Sequence, residues 1–177
     1  FAGFNFALVG YMTWAPTFFT QLFGIETAMA NFYASLPNLV VIPGGIIAGW
    51  ILDRTKNRKA VLATALTAAA VILIWCFRLG SASVIVPYMI GLGIIVSFIP
   101  SGTFTLAPET APRPELTGMA LGIVNIGQNL GMLIGPPLIA GAAAGGNWVN
   151  GTFPVIAASV VAIVAALLMR MRREPVS

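Results

Sequence analysis

The side chains of this sequence that can do chemistry are few, and most are amides. Asn125, Gln128 and Asn129 stand within one long apolar stretch, Asn5, Tyr11 and Trp14 within another, and Asn38 within a third. Asn125 and Asn129 are one helical turn apart and Gln128 is three residues from Asn125, so on a helix all three share a face. Such a face offers hydrogen-bond donors and acceptors but no titratable group. It can form the wall of a binding cavity or glue two helices together, and spacing leaves both open. Tyr11 and Trp14 are positioned to stack on an organic solute or to join an interfacial aromatic belt, where Tyr33 also fits.

Covalent and metal chemistry find little here. The chain has no His, which removes the commonest general base and metal ligand. A Ser–His protease therefore has no base, and no pair of carboxylates lies at membrane depth for an aspartyl protease. The single Cys76 has no partner in the chain and reads as a small apolar residue. Neither an enzyme activity, a cofactor nor a metal site is expected.

The elements that must position those amides are membrane helices. Of the 177 residues 58% are hydrophobic and only 8% charged, against about a quarter charged in soluble domains. Helices of ~20 residues joined by short loops let such a chain cross a bilayer about six times. The pattern predicts spans at about 1–23, 30–53, 60–79, 83–106, 115–143 and 149–170. Gly24 and Glu26 end the first, and Asp53 to Lys59 form a charged turn. Gly80-Ser81, the prolines between Pro108 and Pro114, and Gly145-Gly146-Asn147 supply the remaining breaks. The whole chain, 1–177, is expected to be one all-α six-helix domain. No charged leader or cleavage site precedes the apolar run at Phe1, and the expectation is a piece of a longer polypeptide.

The charges sort by side. Arg54, Lys56, Arg58 and Lys59 follow the second span, Arg113 the fourth, and Arg170, Arg172 and Arg173 the sixth. With six spans these share one side, and of the 9 basic residues only Arg78 lies opposite. That asymmetry predicts both termini in the cytoplasm of a plasma or inner membrane. The basic balance thus reports topology and contact with anionic lipid, not a nucleic-acid partner.

Glycines recur at helical spacing: Gly45 and Gly49 in the second span, and Gly118/Gly122 and Gly127/Gly131/Gly135 in the fifth. Four-residue spacing puts them on stripes where backbones approach closely. The stripes serve plain packing or a partner that moves. Prolines at 16, 37, 43, 87, 100, 136 and 137 sit in or near spans, where neighbours or a water-lined cavity must satisfy the freed carbonyls.

The segment GWILDRTKNRK, Gly49 to Lys59, resembles the cytoplasmic loop signature of the major facilitator superfamily. Gly49, Asp53, Arg54, Arg58 and Lys59 match its positions, whereas Lys56 stands where that family prefers Gly. Asn57 is then the residue expected to make the tight turn. Asp53, at the end of a helix whose dipole disfavours an anion, needs a cation or a helix N-terminus as partner. In the resembled family this carboxylate and its arginine make contacts across helices that close the cytoplasmic side. The alternative is that Arg54 to Lys59 only fix orientation while Asp53 relieves their repulsion. LGIVNIGQNLGMLIGPPLIAG, Leu121 to Gly141, is similar to that family's fifth or eleventh helix, and YMTWAPTFF, Tyr11 to Phe19, to its first or seventh.

The resemblance implies one half, the C-terminal one, of a twelve-helix fold with 3+3 inverted repeats. It implies a secondary transporter or facilitator of a small solute working by alternating access. Its partners would be that solute, the bilayer and the other six-helix half of the same polypeptide. Asn5, Tyr11, Trp14, Asn38, Asn125, Gln128 and Asn129 would be the candidate substrate wall. Gly49, Asp53, Arg54, Arg58 and Lys59 would be the gating loop. The competing reading is a self-assembling channel or a structural membrane subunit.

Overall fold

The computed structural model describes residues 1–169, so Arg170, Arg172 and Arg173 lie outside it. It is all-helical, with α1 Ala2–Phe23, α2 Thr27–Arg54, α3 Arg58–Leu73, α4 Ile85–Glu109, α5 Thr117–Ala142 and α6 Trp148–Leu168. Four are long and apolar enough to cross a membrane: α2, α4 with the 3-10 turn before it, α5 with its own, and α6. Neither α1 nor α3 meets that description, for different reasons. α1 has 22 residues but is the bundle's inner helix, burying Phe4, Ala7, Tyr11, Ala15, Phe18 and Phe19 against its neighbours. Its polar Asn5, Thr13 and Thr20 bond to carbonyls of the same helix end or turn, at Phe1, Val9 and Thr17, which lets α1 carry them. α3 has only 16 residues, about 24 Å at 1.5 Å per residue.

The ends have local causes. Gly24 stops α1 in the left-handed conformation, φ 65° and ψ 21°, and its N–H donates to the Thr20 carbonyl. Asn57 caps α3, its Oδ1 accepting from Ala60 N at 3.1 Å. The third helix was expected to reach residue 79 and instead ends at Leu73. Its last turn tightens, with Trp75 N donating to Ile72 O and Cys76 N to Leu73 O, both at 3.2 Å. The Tyr88 hydroxyl adds a bond to the Ile72 carbonyl at 3.1 Å.

The bend returns Phe77 to the core, where its ring meets Tyr11 at 5.2 Å, Phe18 at 5.4 Å and Trp148 at 5.5 Å. Burying that ring among aromatics outweighs the lost helical turn. The fourth helix also departs from expectation, running through Pro108 to Glu109. A proline there removes one helical bond, the one to the carbonyl four residues back, and Ala111 N donates to the Pro108 carbonyl at 3.2 Å.

Two helix pairs form the most extensive contacts, α1 with α5 and α2 with α4. α3 packs on α4 and α6, and α6 also on α1. Both main pairs close over glycine. A Cβ on Gly131 or Gly135 would run into the carbonyl oxygens of Ala2 and Phe6, and one on Gly10 into Ile139. On the other pair, Gly93 lies against Pro37 and Val40, and Gly44 against Ser97.

The expected stripes are therefore used unevenly. Gly131 and Gly135 pack within the bundle, and Gly127 touches Ala2, whereas Gly49, Gly118 and Gly122 meet nothing within 4 Å. On α2 the close contact belongs to Gly44, which the Gly45/Gly49 spacing passes over. Apolar side chains give no hydrophobic force between helices already in lipid, so this van der Waals fit has to hold the pairs. Gly135→Ala is expected to destabilise the detergent-solubilised protein by about 1–3 kcal/mol, whereas Gly118→Ala changes stability by less than about 1 kcal/mol. Paired thermal melts of the two variants check this.

Candidate functional site

Two places carry the polar chemistry: the α2–α3 loop and the faces of α2 and α5 that this bundle leaves open. In the loop, three helix C-termini converge. Arg58 Nε donates to the Leu52 carbonyl at the end of α2 at 3.1 Å, while its Nη1 meets Glu109 Oε1 at the end of α4 at 2.7 Å. Lys59 Nζ donates to the Leu167 and Met169 carbonyls at the end of α6, each at 2.7 Å. Helix C-termini carry partial negative charge and unpaired carbonyls, so two cations here cap α2 and α6 and pair with the acid that ends α4. Arg54 instead lies over the Trp50 ring, 3.9 Å from its centroid.

Two expectations for this loop change. Asn57 makes no left-handed turn: its φ is −113°, and among the described residues only Gly24, Gly145 and Gly146 have positive φ. The loop closes through the Asn57 cap, which asks nothing of Lys56 that a glycine would supply better. Asp53 is exposed, and among the described residues the one ion pair is Arg58–Glu109. Glu109 takes the loop's arginine in place of Asp53. Its signal in the sequence was an acid at a helix C-terminus, where the dipole requires a cation nearby.

The wall candidates fall into two groups. Asn5, Tyr11 and Trp14 serve the interior of the bundle. Asn5 is buried, with Nδ2 donating to the Phe1 carbonyl at 3.1 Å. Tyr11 is 0% exposed between the rings of Phe77 and Tyr88, and its hydroxyl has no hydrogen-bond partner. Trp14 is half-buried, its indole donating to the Pro136 carbonyl on α5 at 2.9 Å. Trp148 similarly donates to Gln21 Oε1 at 3.0 Å, a tie between α6 and α1 that spacing alone does not reveal.

Asn38, Asn125 and Asn129 are exposed, and Gln128 is half-buried. Asn125 Nδ2 donates to the Leu121 carbonyl at 3.1 Å, and Asn129 Nδ2 to the Asn125 carbonyl at 2.8 Å. Each amide keeps a second N–H and its oxygen for another partner. Around them Ile42, Ile46 and Ile47 of α2 and Ile123, Ile126 and Leu133 of α5 are also exposed. α2 and α5 thus present mixed apolar and amide faces outward.

An all-helical bundle with membrane-length apolar helices and a basic loop sealing one end defines a polytopic membrane protein. The family model of the Major Facilitator Superfamily matches residues 1–136, and the chain belongs to that family. It is 29% identical over 164 residues to the D-galactonate transporter of Escherichia coli O6:H1, covering 89% of this chain and 37% of that protein. To the glycerol-3-phosphate transporter of Bacillus subtilis it is 30% identical over 168 residues, 90% of this chain and 37% of the relative. To the probable nitrate/nitrite transporter NarK2 of Mycobacterium tuberculosis it is 29% identical over 184 residues, the full chain and 44% of the relative. The chain spans less than half the length of these curated relatives. The family and its relatives are membrane transporters, and this chain is not an enzyme.

The Arg58–Glu109 pair is partly exposed, at 34% and 38% of each side chain, so solvent screens it. A double-mutant cycle of Arg58→Gln and Glu109→Gln is expected to give a coupling of no more than about 1 kcal/mol that shrinks at high salt. Thermal melts at two ionic strengths measure it.

Proposed function

We propose that this chain is one half of a secondary transporter that moves a small anionic solute by alternating access. The observation that carries the reading is the row of amides on the open faces of α2 and α5. Polar groups at membrane depth do not face lipid without a partner. Asn38, Asn125 and Asn129 are exposed in this bundle, and the second half of the same polypeptide, with a polar cavity between the two, supplies what they lack. The open glycines Gly49, Gly118 and Gly122 let that half approach closely. Proteins similar to this chain are named for galactonate, glucarate, glycerol 3-phosphate and nitrate, all anions at neutral pH. Amide N–H groups suit such a solute.

All six helices cross the membrane in this reading, with both ends cytoplasmic in a plasma or inner membrane. Exchanging α1 with α4, α2 with α5 and α3 with α6 converts the α1–α5 contact into α4–α2, and α3–α4 into α6–α1. That interchange supports two three-helix units in inverted relation. α1 is shielded by neighbours, and the short α3 is completed by the turn through Phe77. Gly49, Asp53, Arg54, Arg58 and Lys59 then form the cytoplasmic gate. Arg58 and Lys59 lock the ends of α2, α4 and α6 into one rigid body, and Asp53 is left to meet the other half. Among the described residues the charges lie at helix ends and in loops, so in this reading the cation that balances the solute comes from the other half.

Uptake by the full-length protein in proteoliposomes, with labelled galactonate, glycerol 3-phosphate and nitrate, is the direct test. At least one anion is expected to accumulate, and Asn125→Ala with Asn129→Ala to cut its uptake tenfold or more without changing the melting temperature. A folded protein that takes up none of a broad anion panel, or whose uptake ignores both amides, refutes the proposal. Topology is checked separately with single-cysteine variants in a Cys76→Ala background. A cysteine at Lys56 is expected to react only after the membrane is opened to the cytoplasmic face, and one at Ser83 from outside.

A further inference from the structure

The outer side of α3 carries a feature that transport leaves unexplained. A groove between α3 and α4 starts at Thr55 and Asn57 and runs past Ala60, Thr64 and Phe98, with a volume of about 440 Å³. It continues past Ala68, Val71 and Trp75 for a further 720 Å³, the two stretches sharing Thr64, Ala68 and Ile95. Its floor is alanine and threonine and its wall is Ile94, Ile95 and Phe98. The Thr67 hydroxyl donates to the Ala63 carbonyl at 2.8 Å, so the floor presents little unmet polarity there. From Ala60 to Val71 the groove follows α3 for ~17 Å at 1.5 Å per residue, a stretch suited to an acyl chain.

Its loop end is polar. Thr55 and Asn57 also line a 440 Å³ recess formed by the α2–α3 loop and Glu109. Four cations, Arg54, Lys56, Arg58 and Lys59, face two carboxylates there, Asp53 and Glu109. Arg58 is held by Glu109 and Lys59 by the carbonyls of α6. Among the described residues Arg54 and Lys56 make no ion pair. Asn57 Oδ1 accepts from Ala60 N, and its N–H₂ group remains as a donor. α3 also points its N-terminus, the positive end of its dipole, at this recess.

We propose that the recess and groove together bind one anionic phospholipid, its phosphate on Arg54, Lys56 and Asn57 and an acyl chain along the outer face of α3. The proposal rests on the membrane placement given above and is independent of which solute is carried. Native mass spectrometry of the full-length protein, equilibrated with equal phosphatidylglycerol and phosphatidylcholine of the same chain length, tests it. Phosphatidylglycerol is expected to remain bound in preference. Arg54→Gln with Lys56→Gln is expected to lower that preference about tenfold, given that each basic residue near a membrane surface adds severalfold to anionic binding. Thr64→Trp, at an exposed site where the two stretches of the groove join, is expected to reduce retention of both lipids. Equal retention of the two lipids by the unaltered protein, or a preference untouched by both variants, overturns the proposal. A protein that keeps phosphatidylglycerol yet transports no anion overturns the transport reading and leaves this one standing.

Discussion

Close backbone contact between α1 and α5 is the constraint on which the rest of the bundle depends. Gly131 and Gly135 sit on the carbonyls of Ala2 and Phe6, and Gly10 faces Gly135 and Ile139. Helices already in lipid gain nothing from burying apolar area against each other, so contact distance sets the strength of association. α1 is thereby fixed at the centre, and the aromatic cluster of Tyr11, Phe18, Phe77 and Trp148 assembles against it. That cluster in turn bends the chain after Leu73. The matching contact of Gly93 and Gly44 between α2 and α4 repeats the same solution on the other side of the bundle.

Fixing α1 and α4 inside leaves α2 and α5 outside, and the polar residues follow that division. Asn5, Tyr11 and Trp14 lie on the inner helix, two of them bonded to backbone carbonyls. Asn38, Asn125 and Asn129 lie on the outer helices, facing away. A membrane protein does not direct amides at hydrocarbon without reason. The amides available to a further partner are therefore those on the open face of α2 and α5, whereas Tyr11 and Trp14 pack within the bundle. Tyr11 illustrates the distinction: by residue type it suits a stacked solute, but it is fully buried among aromatic rings.

At the loop end, electrostatics does the work that glycine contact does along the helices. Arg58 and Lys59 donate to carbonyls at the ends of α2 and α6, and Arg58 also pairs with the Glu109 carboxylate at the end of α4. The same six-residue stretch leaves Arg54 and Lys56 outward, Arg54 braced on Trp50. One short basic segment thus serves as clamp with one pair of residues and as a contact surface with the other. Sequence order alone does not separate those roles, because all four are cations in one turn.

Much of this protein was legible without coordinates. Charge scarcity and long apolar stretches determined an all-helical membrane chain, since lipid satisfies no exposed backbone group and leaves helices as the economical solution. The signature at Gly49 to Lys59 indicated the family that the match over residues 1–136 bears out. Gly24 placed the end of α1 through local backbone chemistry, whereas Asn57, expected to make a left-handed turn, caps α3 instead. What sequence spacing could not decide was which face of each helix points inward. Whether Gly44 or Gly45 meets α4, whether Glu109 or Asp53 takes the arginine, and whether Phe77 ends a helix or folds back all depend on neighbours far along the chain. Those choices are made by packing and by the positions of other helix ends, quantities that exist only once the six helices stand together.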